Sequence, residues 1–266
     1  MTDHTTSHRV WYHLIDAYRG FALLNMLFFH FFFDIYMIFR QDPDWYHRPV
    51  VHIWQQFICI SFLFVSGISW HFSQNNVKRG LLLNLYGLII TAVTFVFMPS
   101  QTVWFGILNC IGCCTLLMIP LHKLWNRPRT ASPRQKVWKC GLGLFLSILL
   151  FLFTRNLSDG YVGMAFFSFP VPEAIYHFRP MTILGFPYPG FFSGDYFPIL
   201  PWFFLFVAGY WFWELISCQN SLLGVFRIRI PILSRLGQKT IWIYMLHQPF
   251  LYGVAYLLTQ VMNLSF

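Results

Sequence analysis

"DAYRGFALLNMLFFHFFFDIY", residues 16–36, decides how the rest of the chain is read. From Leu23 to Tyr36 it has the composition of a bilayer-crossing helix, yet it carries His30 and Asp34 four residues apart. Ionisable groups cost free energy in hydrocarbon, and they usually face a bundle interior or a wet cavity. As a helix, the steps from Arg19 to His30 return to within about 20° of the starting face and climb ~16 Å. Asp34 follows one turn later, and Asp16 precedes Arg19 by one turn. The spacing therefore predicts a single polar line, Asp16, Arg19, His30 and Asp34, along an otherwise apolar helix.

Working outward, the same apolarity recurs. The 266 residues are 57% hydrophobic and only 10% charged, where a soluble domain carries about a quarter charged residues. Apolar runs predict seven spans, at about 20–39, 53–73, 80–98, 102–121, 140–154, 197–216 and 240–262. The expected fold is all-α: a polytopic integral-membrane helical bundle of about seven or more spans, folded as a single domain over residues 1–266. The polar start "MTDHTTSHRV" lacks a cleavage-site pattern, so the first span is expected to be retained.

A net charge of +9 suggests nucleic acid in a soluble protein, but here the positive-inside rule accounts for it. Twelve basic residues fall in alternate loops: Lys78 and Arg79, then Lys123, Arg127, Arg129, Arg134, Lys136 and Lys139, then Arg227, Arg229, Arg235 and Lys239. The opposite loops hold four, Arg40, Arg48, Arg155 and Arg179. This asymmetry predicts a cytoplasmic N-terminus and an outer C-terminus, with membrane lipid rather than nucleic acid as the surrounding partner. Residues 155–196, rich in Gly, Pro and aromatics, form a long outer loop or lid. The six cysteines lie in or beside apolar runs; the C-x-x-C-C at 110–114 has no His or acidic residue nearby. They read as core residues, with neither disulfide nor metal expected.

The polar line carries the chemistry. A carboxylate one turn from an imidazole can hold one ring nitrogen and stabilise the imidazolium, leaving the other to take a proton from a substrate. The competing role for His30 is an interhelical hydrogen bond. Arg19, at the helix end, either binds a ligand or extends to lipid phosphate.

An arginine, ten residues and a histidine on the first span resemble the hallmark of transmembrane acyltransferases that acetylate bacterial surface sugars. The stretch "IDAYRGFALLNMLFFHFFFD" (15–34) resembles the branch related to heparan-α-glucosaminide N-acetyltransferase. So do "IWQQFICISFLFVSGIS" (53–69), "FGILNCIGCCTLL" (105–117), "GDYFPILPWFFLFVAGY" (194–210) and "LGQKTIWIYMLHQPFL" (236–251). The resemblance implies acetyl transfer from cytoplasmic acetyl-CoA to a glycan or glycolipid acceptor beyond the membrane, in a bacterial inner membrane. Arg19 is then expected to hold the phosphates of acetyl-CoA. His30 is expected to act as general base or acetyl carrier, and Asp34 to orient it. The characterised N-acetyltransferase has asparagine at the place matching His30, a departure that favours the mechanism of the surface-sugar enzymes.

Further candidates lie elsewhere. Asn109 is either a contact for the pantetheine or acyl carbonyl, or interhelical glue. His52, beside Trp54 at the start of the second span, is an interfacial anchor or a substrate contact. Asp195 and Tyr196 precede the sixth span, where Asp195 binds acceptor hydroxyls or caps a helix. His247 lies two residues before Pro249, which frees a backbone carbonyl and suits a cavity wall. Glu214 reads as an interfacial charge. A proton-coupled transporter of a small solute remains the alternative, since it too places Asp and His on a membrane stripe. It commonly shows paired repeats with broken helices, and the sequence has no such repeat.

Overall fold

A computed structural model of the chain describes residues 11–39, 41–42, 44–125, 132–164 and 167–263. Among these the structure is almost wholly helical. The helices are α1 (His13–Phe33), α2 (Pro49–Ser69), α3 (Asn76–Phe97), α4 (Ile107–Trp125), α5 (Pro133–Thr154), α6 (Ile199–Ser217), α7 (Asn220–Val225), α8 (Pro231–Gln238) and α9 (Thr240–Asn263). A hairpin of β1 (Tyr161–Met164) and β2 (Phe167–Pro170) lies between α5 and α6, with Val162 opposite Phe169.

Six stretches are long and apolar enough to cross a membrane: His13–Ile38, Pro49–Phe72, Asn76–Phe97, Ile107–Trp125, Pro133–Asp159 and Ile199–Ser217. They cover six of the seven expected spans. The seventh falls in α9, whose 24 residues reach ~36 Å, beyond a bilayer core of about 30 Å. His247, Gln248 and Pro249 interrupt its apolar run, which leaves it outside the six. Helix starts differ most from expectation in α1 and α5, at polar ends that hydropathy under-reads. α1 begins at His13. α5 begins at Pro133, where Ser132 and Gln135 form a reciprocal capping box. Arg40, Arg127 and Arg129, which the charge asymmetry uses, lie outside the described residues.

The chain packs as two compact units, with the division falling inside α2: residues up to Ile58 together with those from Gln219 onward, and Cys59–Cys218. In the first unit, α1 meets α8 backbone to backbone. A Cβ on Gly20 would overlap the carbonyl of Leu233, and one on Gly237 would overlap that of Asp16. The two glycines are what allow this approach. Ser234 Oγ donates to the carbonyl of His13 (3.2 Å), and the Leu14 N–H donates to that of Phe226 (3.1 Å). At its far end α1 widens into a π-helical turn, Asp34–Ile38, closed by the Phe39 N–H on the carbonyl of Asp34 (2.9 Å). Such turns are rare and frequent at functional sites. They redirect the residues that follow.

The second unit has its own interior. Gly67 packs on the carbonyl of Phe206 and Gly209 on that of Phe64, so α2 and α6 are also in backbone contact. Asn84 and Asn109 link α3 to α4. α3 and α5 turn most of their apolar surface outward: Leu88, Val96 and Phe97 on one, Trp138, Leu142 and Phe145 on the other, are exposed. That is the surface of a helix facing hydrocarbon. The segment 155–196, expected to be irregular, contains the β-hairpin and short 3₁₀ turns at Glu173–Ile175 and Arg179–Leu184. All six cysteines are free thiols.

Candidate active site

In the first unit, α1 and α9 bring four polar side chains together. The imidazoles of His30 and His247 lie 4.9 Å apart, centroid to centroid, tilted by 60°. One turn beyond His30, Asp34 is fully buried, at 0% exposure. Its Oδ1 accepts a hydrogen bond from Gln248 Nε2 at 2.8 Å. Asp34 was expected to orient His30 directly. Instead the carboxylate is bound by the amide of α9, and the ring next to His30 is His247. Asp34 opens the π-helical turn and is drawn to the neighbouring helix, where a buried carboxylate needs a donor.

α9 is shaped for this. Pro249 has no N–H, so the regular ladder breaks there. One turn earlier, His247 Nδ1 meets the carbonyl of Tyr244. His247 and Gln248 are consecutive, so one short stretch of α9 supplies both the second imidazole and the amide. Gln248 was not anticipated. Its signal in the sequence is the polar pair His-Gln beside a proline inside an apolar run.

Nearer the start of α1, Asp16 gathers three donors: Trp11 Nε1 (2.8 Å), Arg19 Nη1 (3.0 Å) and Gln238 Nε2 (3.3 Å). Arg19 is thus ion-paired, with its side chain about a quarter exposed (26%). Midway up the helix, Asn25 Oδ1 accepts from Trp54 Nε1 at 3.1 Å, and Phe29 packs against Trp54 and Trp45. Along α1, Asp16 is held by α8 and the entry to α1, Asn25, which is not part of the expected line, by α2, and Asp34 by α9.

The remaining expected residues divide between the units. His52 is exposed at the start of α2. In the second unit, Asn109 is buried; its Nδ2 donates to the carbonyl of Asn84 (3.3 Å), and its amide fills the space left by Gly87. That is a helix-to-helix fastening. Asp195 Oδ2 accepts from the Ile107 N–H (3.4 Å) at the start of α4, so it caps a helix other than the one it precedes. Burial pushes its carboxyl up to about 6, against a partial lowering by that hydrogen bond. Tyr196 donates its hydroxyl proton to the carbonyl of Thr182. Burial pushes this phenol well above its usual range.

The second unit also contains a polar cluster that hydropathy reading left unassembled. Glu214, expected to be an interfacial charge, lies 3.5 Å from His71 Nδ1, and both are largely buried. His71 stacks on Tyr210 at 4.4 Å, and the Tyr210 hydroxyl meets His122 Nδ1 at 2.8 Å. Among the described residues no group of three or more His, Cys, Asp or Glu side chains is disposed to hold a metal.

A helical membrane unit with imidazoles paired across α1 and α9, and with an arginine and a buried carboxylate along the first span, accords with what a comparison with known proteins finds. No curated protein and no solved structure matches the chain. The family model of the heparan-α-glucosaminide N-acetyltransferase catalytic domain matches residues 9–132 and 139–249, nearly the whole length, and includes every side chain of this site. The chain belongs to that family of membrane acetyltransferases.

Proposed function

We propose that the protein transfers an acetyl group from acetyl-CoA, bound from the cytoplasmic side, to a sugar-type acceptor on the far side of a bacterial inner membrane. The observation that carries this reading is the pair of imidazoles, His30 and His247, beside the buried Asp34 in the interior of an apolar helical unit. Family membership supports the acetyl transfer, and the distribution of basic residues supports a cytoplasmic N-terminus.

In this reading His30 is the general base. It takes the proton from the acceptor hydroxyl or amine as that atom attacks the thioester carbonyl. The C–S bond breaks, the CoA thiolate leaves, and the proton passes from the imidazolium to the thiolate, giving acetylated acceptor and CoA. Alternatively His30 itself attacks the thioester, releasing CoA, and the acetyl-imidazole passes the acyl group to the acceptor. The two routes differ in kinetics, since a covalent intermediate gives ping-pong behaviour. His247 lies where it can share or relay the proton. Arg19, whose Nη1 pairs with Asp16, holds a phosphate of acetyl-CoA in this reading, as the resemblance implies.

The test is purified protein in lipid vesicles supplied with radiolabelled acetyl-CoA and glucosamine or glucose. Label should appear on the sugar, and His30→Ala should abolish it. Equal transfer by the His30→Ala protein sinks the assignment. Proton-driven solute uptake without any acyl-CoA requirement would establish the transporter instead.

A further inference from the structure

Among the described residues, three buried polar atoms of this site have no hydrogen-bond partner: Asp34 Oδ2, His247 Nε2 and Gln248 Oε1. Leaving a buried polar atom unsatisfied costs free energy. Three such atoms, on a hydrogen-bonded pair and on the residue preceding Gln248 in sequence, require an explanation.

Their chemistry is uniform. Gln248 donates its Nε2 to Asp34 Oδ1, so the amide nitrogen faces the carboxylate and the amide oxygen is the atom left over. His247 Nδ1 meets the Tyr244 carbonyl, which can only accept. That nitrogen therefore carries the ring proton, and Nε2 carries a lone pair. Asp34 Oδ2 belongs to a carboxylate already receiving an N–H on its other oxygen. With Asp34 in its carboxylate form, all three unpartnered positions are acceptors. Two belong to side chains at least nine-tenths buried, Asp34 at 0% and His247 at 9% exposure.

We infer that Asp34, His247 and Gln248 form a recognition subsite for the acetyl acceptor, selecting a group that presents several hydrogen-bond donors, as the hydroxyls or amine of a sugar do. The inference rests on the acetyltransferase reading for calling that ligand a substrate. It does not rest on it for the binding. Gln248 is a positioning residue here: its amide fixes Asp34 through one end and reads the ligand with the other. A ligand without donors leaves three acceptors dry, and a site built for hydrogen bonds rejects such a ligand far more strongly than a greasy pocket rejects a missing methylene.

The experiment uses the full chain in nanodiscs with three probes of similar size: methyl glucosaminide, methyl glucoside and its fully O-methylated counterpart. The first two should raise the unfolding temperature of the wild type, and the fully methylated sugar, which has no donor, should not. Gln248→Met, close in volume but without either amide atom, should raise the acceptor KM by about tenfold or more while kcat falls less. Equal protection by the fully methylated sugar overturns the subsite, as does an unchanged acceptor KM in Gln248→Met. So does protection by sodium, magnesium or zinc chloride alone that is lost in Gln248→Met, since a cation then satisfies the three acceptors. The two readings separate cleanly. Sugar protection that depends on Gln248 without acetyl transfer keeps the subsite and removes the enzyme. Acetyl transfer with Gln248→Met unaltered keeps the enzyme and removes the subsite. Should Gln248→Met not fold, the contrast among the three probes on the wild type decides alone.

Discussion

Asp34 and Gln248 are joined across α1 and α9 by a 2.8 Å hydrogen bond in which a buried carboxylate receives an amide N–H. This one link ties the helix that carries His30 to the helix that carries His247. Removing Gln248 leaves Asp34 buried without this donor, and removing Asp34 leaves the half-buried Gln248 amide without its acceptor. Asp34→Ala and Gln248→Ala should each destabilise the protein by about 1–3 kcal/mol. The double variant should cost less than the sum of the two, because neither orphan then remains. Thermal melts of the three proteins in one detergent test the coupling, and strict additivity contradicts it.

The paired imidazoles give a kinetic expectation. His30→Ala should lower turnover by about 10²–10⁴-fold, the usual contribution of a general base. His247→Ala should act mainly on the acceptor KM. Initial rates with acetyl-CoA and the sugar varied separately show which constant moves. A larger kcat loss in His247→Ala than in His30→Ala reverses the two roles.

Arg19 pairs with Asp16 at 3.0 Å, and in the proposed reading it also holds a phosphate of acetyl-CoA. Arg19→Ala should raise the KM for acetyl-CoA by about tenfold, in the range of one lost charge-assisted hydrogen bond. Arg19→Lys should recover only part of this, since a lysine cannot contact both groups with a planar fork. No change in the acetyl-CoA constant would place Arg19 in the structural set with Asp16.

Asp195 predicts a pH dependence of stability. Burial raises its carboxyl from 3.8 to about 6 in the folded protein, so the folded state binds the proton more tightly than the unfolded state. Its contribution to stability is fully present below about pH 4 and is lost as the pH rises through about 6. Asp195→Asn should flatten the melting temperature over that window. An identical pH profile in wild type and variant removes the effect.

The glycines at the α1–α8 contact predict a packing failure. Gly20→Val or Gly237→Val would drive a side chain into a facing carbonyl, and overpacking of this kind costs about 1–3 kcal/mol or more. Both variants should melt lower than wild type and yield less folded protein by size-exclusion chromatography. Gly141→Val, at a helical position with open space around the added Cβ, should be tolerated and serves as the comparison.

The sequence by itself determined what depends on composition and local period. Runs of apolar residues must form helices where backbone groups cannot reach water, and six of the expected spans follow from that rule. The 3.6-residue period placed Asp16, Arg19, His30 and Asp34 along one helix, and the family resemblance rested on the same residues. Partners were a different matter. Spacing along α1 put Asp34 one turn from His30, but the carboxylate binds Gln248, more than two hundred residues away in the chain. Asn109 and Asp195 looked equally fit for ligand contact, and only packing showed one fastening α3 to α4 and the other capping α4. Glu214 and His71 carried no shared motif, yet they meet at 3.5 Å. A helix fixes which face a residue occupies. Which neighbour covers that face is set by long-range contacts such as the bare glycine surfaces of α1 and α8, and these exist only once the chain has folded.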